Sequence, residues 1–157
     1  MSDTVTPDAL DEILARMANT EGALLPILHA IQAVEGYVPS EAIPRIAESL
    51  NLSRAEVHGV ISYYHHFRQK PAGKVVVQIC RAEACQAVGA DALAQDAVNA
   101  LGCDFHETTH DGSVTLEPVY CLGHCACGPS AMINDDVHAR MTIDRLKSLV
   151  DRARSSV

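Results

Sequence analysis

Tryptophan is absent from this sequence, and four Tyr and two Phe are its only other large aromatics. A core must therefore be assembled mainly from Ala, Val, Leu and Ile; with 48% of residues apolar, there are enough to fill one. Positive charge is scarce too: 12 Lys and Arg stand against 20 Asp and Glu, a formal net charge of −8. That balance argues against nucleic acid, whose phosphates need a positive face, and against anionic membrane surfaces. No apolar run approaches the roughly 18 residues that span a bilayer, so direct membrane insertion is not expected. Met1-Ser-Asp-Thr-Val-Thr-Pro7 lacks the basic and apolar regions of a secretory signal, which points to a cytoplasmic chain. Disulfides are rare there, so six cysteines predict metal or redox chemistry rather than a disulfide framework. A length of 157 residues fits one ordinary domain or two small ones.

Four of the cysteines form a split set. Cys80-Arg-Ala-Glu-Ala-Cys85 is a C-x4-C, and Cys121-Leu-Gly-His-Cys125 is a C-x3-C. Thiolates select iron–sulfur clusters or zinc. The C-x4-C is read as a loop without helical constraint, and Gly123 as the residue that lets the backbone curl close to a metal. Zinc ribbons use C-x2-C pairs, and plant-type ferredoxins use C-x4-C-x2-C. A Rieske site needs two histidines, and a thioredoxin-type dithiol needs C-x-x-C. The spacing favours a binuclear cluster, with structural zinc and thiol redox chemistry as the other readings.

The first half reads as helices. Thr6-Pro7 opens one, with Leu10, Ile13, Leu14 and Met17 at helical spacing, after a frayed tail over 1–6. A second runs from about Ala23 to Glu35, with a stripe of Leu24, Ile27, Leu28, Ile31 and Val34, and Gly36 stops it. Ser40 is expected to cap a third, closed by Asn51. Ser53-Arg-Ala-Glu56 is a capping-box pattern that starts a fourth, reaching about Val60. In Ile61–Phe67 the aromatics read as a core plug with a linker or, more sharply, as an interface patch. His58, His65 and His66 are weak ligand candidates, since neighbouring positions point apart on a helix.

The second half alternates. Strands are expected at 74–79, 112–119, 131–133 and 137–139, and helices at 86–101 (Val88, Leu93, Ala97 and Leu101 inward) and from Thr142 to about Arg152. The fold class is α+β: a small helical bundle over 1–68, a turn-rich linker over 69–74, and an α/β domain over 75–157 that carries both cysteine loops at strand ends. Arg81 and His124 flank ligand candidates and can raise a reduction potential there, although Arg81 reads equally as a solvated charge. Cys103 reads as a small buried hydrophobe. Cys127 sits near enough to Cys125 to compete as a ligand.

These residues resemble the thioredoxin-like 2Fe–2S subunit family of the NADH-oxidising module of complex I. The marks are Leu24-Leu-Pro-Ile-Leu28, Gly36-Tyr-Val-Pro39, Val57-His-Gly-Val60, Tyr63-Tyr64 with Phe67, and the four cysteines. Relatives serve NAD-linked hydrogenases and soluble NAD-dependent formate dehydrogenases. Cys80-Arg-Ala-Glu-Ala-Cys85-Gln86 and Leu116-Glu-Pro-Val-Tyr-Cys121 look most similar to the gamma subunit of the formate dehydrogenases. The resemblance implies a thioredoxin-like second domain and one 2Fe–2S cluster on Cys80, Cys85, Cys121 and Cys125, with Arg81, Gly123, His124 and Cys127 beside it. It implies an FMN- and NAD(H)-binding flavoprotein partner in a larger hetero-oligomer, with a molybdenum cofactor elsewhere if the complex is a formate dehydrogenase. The chain would then be an oxidoreductase subunit that carries electrons and performs no substrate chemistry itself. Ala126-Cys127 departs from the polar residue the family often has after the fourth ligand.

Overall fold

A computed structural model describes residues 7–156. The expected frayed tail over 1–6 lies outside the described residues. The chain divides into two compact units, one ending at Pro71 and the other beginning at Ala72.

The first unit is helical: α1 (Pro7–Met17), α2 (Leu24–Glu35), α3 (Ala42–Leu50) and α4 (Arg54–Tyr63). Leu10, Ile13 and Leu14 of α1 meet Ile27, Leu28 and Ile31 of α2, Ile46 of α3, and Val57 and Ile61 of α4 in one apolar core. Each such side chain contributes about 1.5–3 kcal/mol when fully buried. The stop signals act as expected: Gly36 and Asn51 take the left-handed conformation at φ 80° and 52°. The capping box is complete, with Ser53 Oγ accepting from the Glu56 N–H and the Glu56 carboxylate accepting from the Ser53 N–H. Ser40, by contrast, is not a side-chain cap; α3 starts at Ala42 after Glu41, with no side-chain hydrogen bond. An ion pair joins Arg45 of α3 to Asp11 of α1.

The expected stripe on α2 is wrong at one end. Val34 is 62% exposed, while the polar Gln32 is buried. Its amide N–H donates to the His66 carbonyl (2.8 Å), and its oxygen accepts from the Arg68 N–H (2.7 Å). Those bonds seat the segment after α4 and bring Phe67 into the core. In that segment Phe67 is a buried plug, whereas Tyr63 and Tyr64 are exposed.

The second unit is a five-stranded mixed sheet in the order β2-β3-β1-β4-β5. Its elements are β1 (Val75–Cys80), α5 (Glu83–Gln86), α6 (Ala90–Leu101), β2 (Glu107–Thr108), β3 (Val114–Val119), a 3-10 turn (Cys125–Cys127), β4 (Ala131–Ile133), β5 (Asp136–His138) and α7 (Ile143–Ser155). Val75, Val77 and Ile79 alternate inward from β1, as a half-buried strand requires. Helices α6 and α7 lie against β1 and against each other, so both cover one face. Gly102 and Thr142 end α6 and cap α7 as the sequence predicts.

Three local expectations change. The helix predicted over 86–101 is broken by Gly89 at φ 98°, leaving the one-turn α5 and then α6. Val88 falls in that break and is 52% exposed instead of facing the core. The two-residue strand β2, which has no periodicity to announce it, pairs antiparallel with β3.

Candidate metal centre

The site follows from one pairing. Strands β1 and β3 are parallel, with Cys80 opposite Val119, and the Arg81 N–H extends the ladder to the Val119 carbonyl (2.7 Å). Two parallel neighbours end at the same edge of a sheet, so the segments after Cys80 and Val119 leave from one end.

The two cysteine pairs differ in setting. Cys80 is the last residue of β1 and Cys85 lies in α5; they are 1% and 2% exposed. The first motif is thus helical at its second cysteine, not the unconstrained loop expected. Cys121 and Cys125 are exposed, with their sulfurs 3.6 Å apart. Cys121 takes φ 109°, and the Gly123 N–H points at its sulfur at 3.3 Å. That N–H lowers the Cys121 thiol below its ordinary value, helped by the Cys125 thiol. Cys125 is raised in turn, first by Cys121 and more weakly by burial, Cys85 and Cys80. Burial and then the Cys80 thiol raise Cys85.

Glycine matters at two points for different reasons. A Cβ on Gly123 would meet no protein atom within 4 Å, and its φ of 78° is a conformation that favours glycine. The close approach is at Gly128, where a Cβ would stand 2.8 Å from Val88 Cγ2 and 3.4 Å from Cys85 Sγ. The chain then enters β4 through Ser130, whose carbonyl accepts from the Cys80 N–H at 3.0 Å. Ser130 is 1% exposed, and among the described residues its hydroxyl has no hydrogen-bond partner. Neither Gly128 nor Ser130 stands out in the sequence, although Gly128-Pro129 is a turn signal directly after the last cysteine.

The other flanking residues are arranged as follows. The Arg81 guanidinium lies over the Phe105 ring (5.4 Å to its centre) and pairs with Asp91 at 3.1 Å, so it is not a freely solvated charge. His124 is exposed and precedes the 3-10 turn, its carbonyl accepting from the Cys127 N–H. Cys127 is half-buried, and Cys103 is buried among the apolar residues of the sheet unit. His58, His65 and His66 lie in the helical unit, where the His66 ring is 4.9 Å from that of His29. Burial, then His29 and Arg68, push His66 below its ordinary value.

Among the described residues no three His, Cys, Asp or Glu converge as a single metal ion would require. A sheet that delivers two cysteine pairs to one end defines a class of small protein suited to holding a soft metal group on thiolates. The chain belongs to the thioredoxin-like [2Fe-2S] ferredoxin family, whose sequence model matches residues 10–154.

Among its relatives, a subunit of the NADH-quinone oxidoreductase of Mycobacterium tuberculosis (strain ATCC 25618 / H37Rv) is 35% identical over 144 residues, covering 92% of this chain and 57% of the relative. The chain therefore spans only a little over half of that protein. The corresponding NADH-quinone oxidoreductase subunit of Escherichia coli (strain K12) is 30% identical over 145 residues, 92% of this chain and 87% of the relative. The HndA subunit of the NADP-reducing hydrogenase of Solidesulfovibrio fructosivorans is 30% identical over 139 residues, 88% and 81% of the two chains. A crystal structure of an NAD+-reducing [NiFe]-hydrogenase in the H2-reduced state shares the fold, with a TM-score of 0.69 over 85% of this chain and 22% of that one, at 22% identity.

Proposed function

We propose that Cys80, Cys85, Cys121 and Cys125 hold one 2Fe–2S cluster and that the chain is an electron-transfer subunit. The observation that supports this most directly is the pairing of a buried dithiol with an exposed one at one sheet end. Bound there, the cluster would accept and release one electron at a time. The chain's own residues do the rest. Burial excludes water from Cys80 and Cys85, the Gly123 N–H stabilises negative charge on Cys121, and the exposed loop offers the short route to a partner.

The proposed partner is a flavoprotein that holds FMN and binds NAD(H), within a larger cytoplasmic hetero-oligomer. This reading draws on the subunit names of the relatives and on the absence, among the described residues, of a helix long and apolar enough to cross a membrane. The finer assignment is an NAD-dependent formate dehydrogenase with a molybdenum cofactor on another subunit, supported by the wording around Cys80 and Cys121. The equivalent subunit of an NADH:quinone oxidoreductase or an NAD-linked hydrogenase is the alternative assignment.

Two measurements test the proposal. Anaerobically purified protein should be reddish-brown, contain two irons and two sulfides, and give a rhombic EPR signal on reduction that Cys80→Ser abolishes. Zinc without iron or sulfide would make the chain a structural adaptor instead. Isolating the native complex and identifying its largest subunit tests the formate dehydrogenase assignment; a quinone reductase or hydrogenase subunit there would reject it.

A further inference from the structure

The exposed cysteine pair has a second chemistry open to it. The Cys121 and Cys125 sulfurs stand 3.6 Å apart on the surface loop after β3. A disulfide holds its sulfurs about 2 Å apart, so closure takes an approach of about 1.5 Å. The loop leaves room for that movement, since a Cβ on the intervening Gly123 would meet no protein atom within 4 Å. The enclosed pair offers no such access. Cys80 and Cys85 are buried, the Cys80 N–H is bonded to the Ser130 carbonyl, and the Cys85 N–H is bonded to the Ala82 carbonyl. A thiol reacts with a dissolved oxidant only where the oxidant can reach it. Cys127 is half-buried, and both its backbone groups are engaged: its N–H donates to the His124 carbonyl, and its carbonyl accepts from the Arg140 N–H.

We infer that, before a cluster is loaded, Cys121 and Cys125 close reversibly as a disulfide, and that this closure bars loading. The bar rests on the cluster proposed above; the closure does not. The oxidant is a small-molecule disulfide of the glutathione class. One of the two cysteines, as thiolate, attacks it, forms a mixed disulfide and expels one small thiol. The other cysteine then attacks the protein sulfur of that mixed disulfide and expels the second small thiol. Two protein thiols have lost two electrons and two protons, and the small disulfide has gained them. Only Leu122, Gly123 and His124 lie inside the ring so formed, so the bond constrains little of the unfolded chain. Exposed disulfides are also the readily reduced ones. Cluster and disulfide thus compete for the same two sulfurs, while Cys80 and Cys85 stay reduced.

The test uses the full chain, stripped of metal by a chelator under anaerobic reducing conditions and then incubated with oxidised glutathione. Alkylation and peptide mapping by mass spectrometry should find one disulfide, joining Cys121 to Cys125, with Cys80, Cys85 and Cys103 alkylated only after denaturation. Cys127→Ala should give the same disulfide. Cys125→Ser should stop at a glutathione adduct on Cys121. Iron and sulfide uptake on reconstitution should fall in proportion to the disulfide found and return after treatment with dithiothreitol. A disulfide that includes Cys80, Cys85 or Cys127 overturns the inference, as does an exposed pair that stays reduced or an oxidised chain that loads as fully as the reduced one. Reduced wild-type protein that takes up no iron would reject the cluster reading and the bar with it; the peptide map decides the closure in either case.

Discussion

The two cysteine pairs reach the same end of one sheet by opposite means. Cys80 and Cys85 are held by a central strand and a one-turn helix and are nearly inaccessible; Cys121 and Cys125 sit on an exposed loop shaped by left-handed backbone. The difference separates two tasks that one loop type would serve badly. On the function proposed above, an enclosed pair would fix geometry and exclude water, and an exposed pair would leave the cluster accessible to a partner.

The largest effect should come from removing a ligand on each side. Cys80→Ser should yield protein without cluster, because no other thiol is expected to reach the enclosed position. Cys125→Ser should retain colour through Cys127, at reduced occupancy and with a changed EPR line shape, and Cys125→Ser/Cys127→Ser should be colourless. Equal iron loss in the Cys80→Ser and Cys125→Ser single variants would remove the distinction between the pairs.

Glycine substitutions should give an intermediate effect. Gly128→Ala crowds Val88 and Cys85, so overpacking should cost about 1–3 kcal/mol, recovered in part by Val88→Ala. Gly123→Ala meets no atom but must keep φ 78°, a strain of about 1–2 kcal/mol that no second-site truncation relieves. Chemical denaturation of the single and double variants measures this; relief of Gly123→Ala by Val88→Ala would contradict it.

The smallest effect concerns the far end of β3. Asp111 accepts hydrogen bonds from the Thr109 hydroxyl and from the Ser113 N–H and hydroxyl, which hold its carboxyl well below the usual range. Its contribution is therefore present above the unfolded-state value of about 3.9 and is lost as pH falls below it. Asp111→Asn should flatten the acid side of the melting-temperature profile without moving the EPR signal. A changed signal would show that the turn and the cysteine end are coupled.

Much of the backbone was legible where a residue acts on its own neighbours. Glycine at 36 and 102, Asn51, the Ser53–Glu56 box and Thr142 all mark helix ends, because capping is settled within a few residues. Errors gathered where distant residues decide. Gln32 displaces Val34 from the core because two backbone groups more than thirty positions away need its amide. The two-residue β2 pairs antiparallel with the edge that β3 offers it.

The cysteine site divides along the same line. The four thiols, their spacing and thus the softness of the metal they suit were readable from the residues alone, since those are properties of residue type and chain distance. Folding was needed to decide which pair is enclosed and which exposed, and that the Gly128 backbone passes against Cys85. The reason is physical. Burial and orientation are set by strands that pair across more than thirty residues, and no local pattern records which neighbour the sheet will bring.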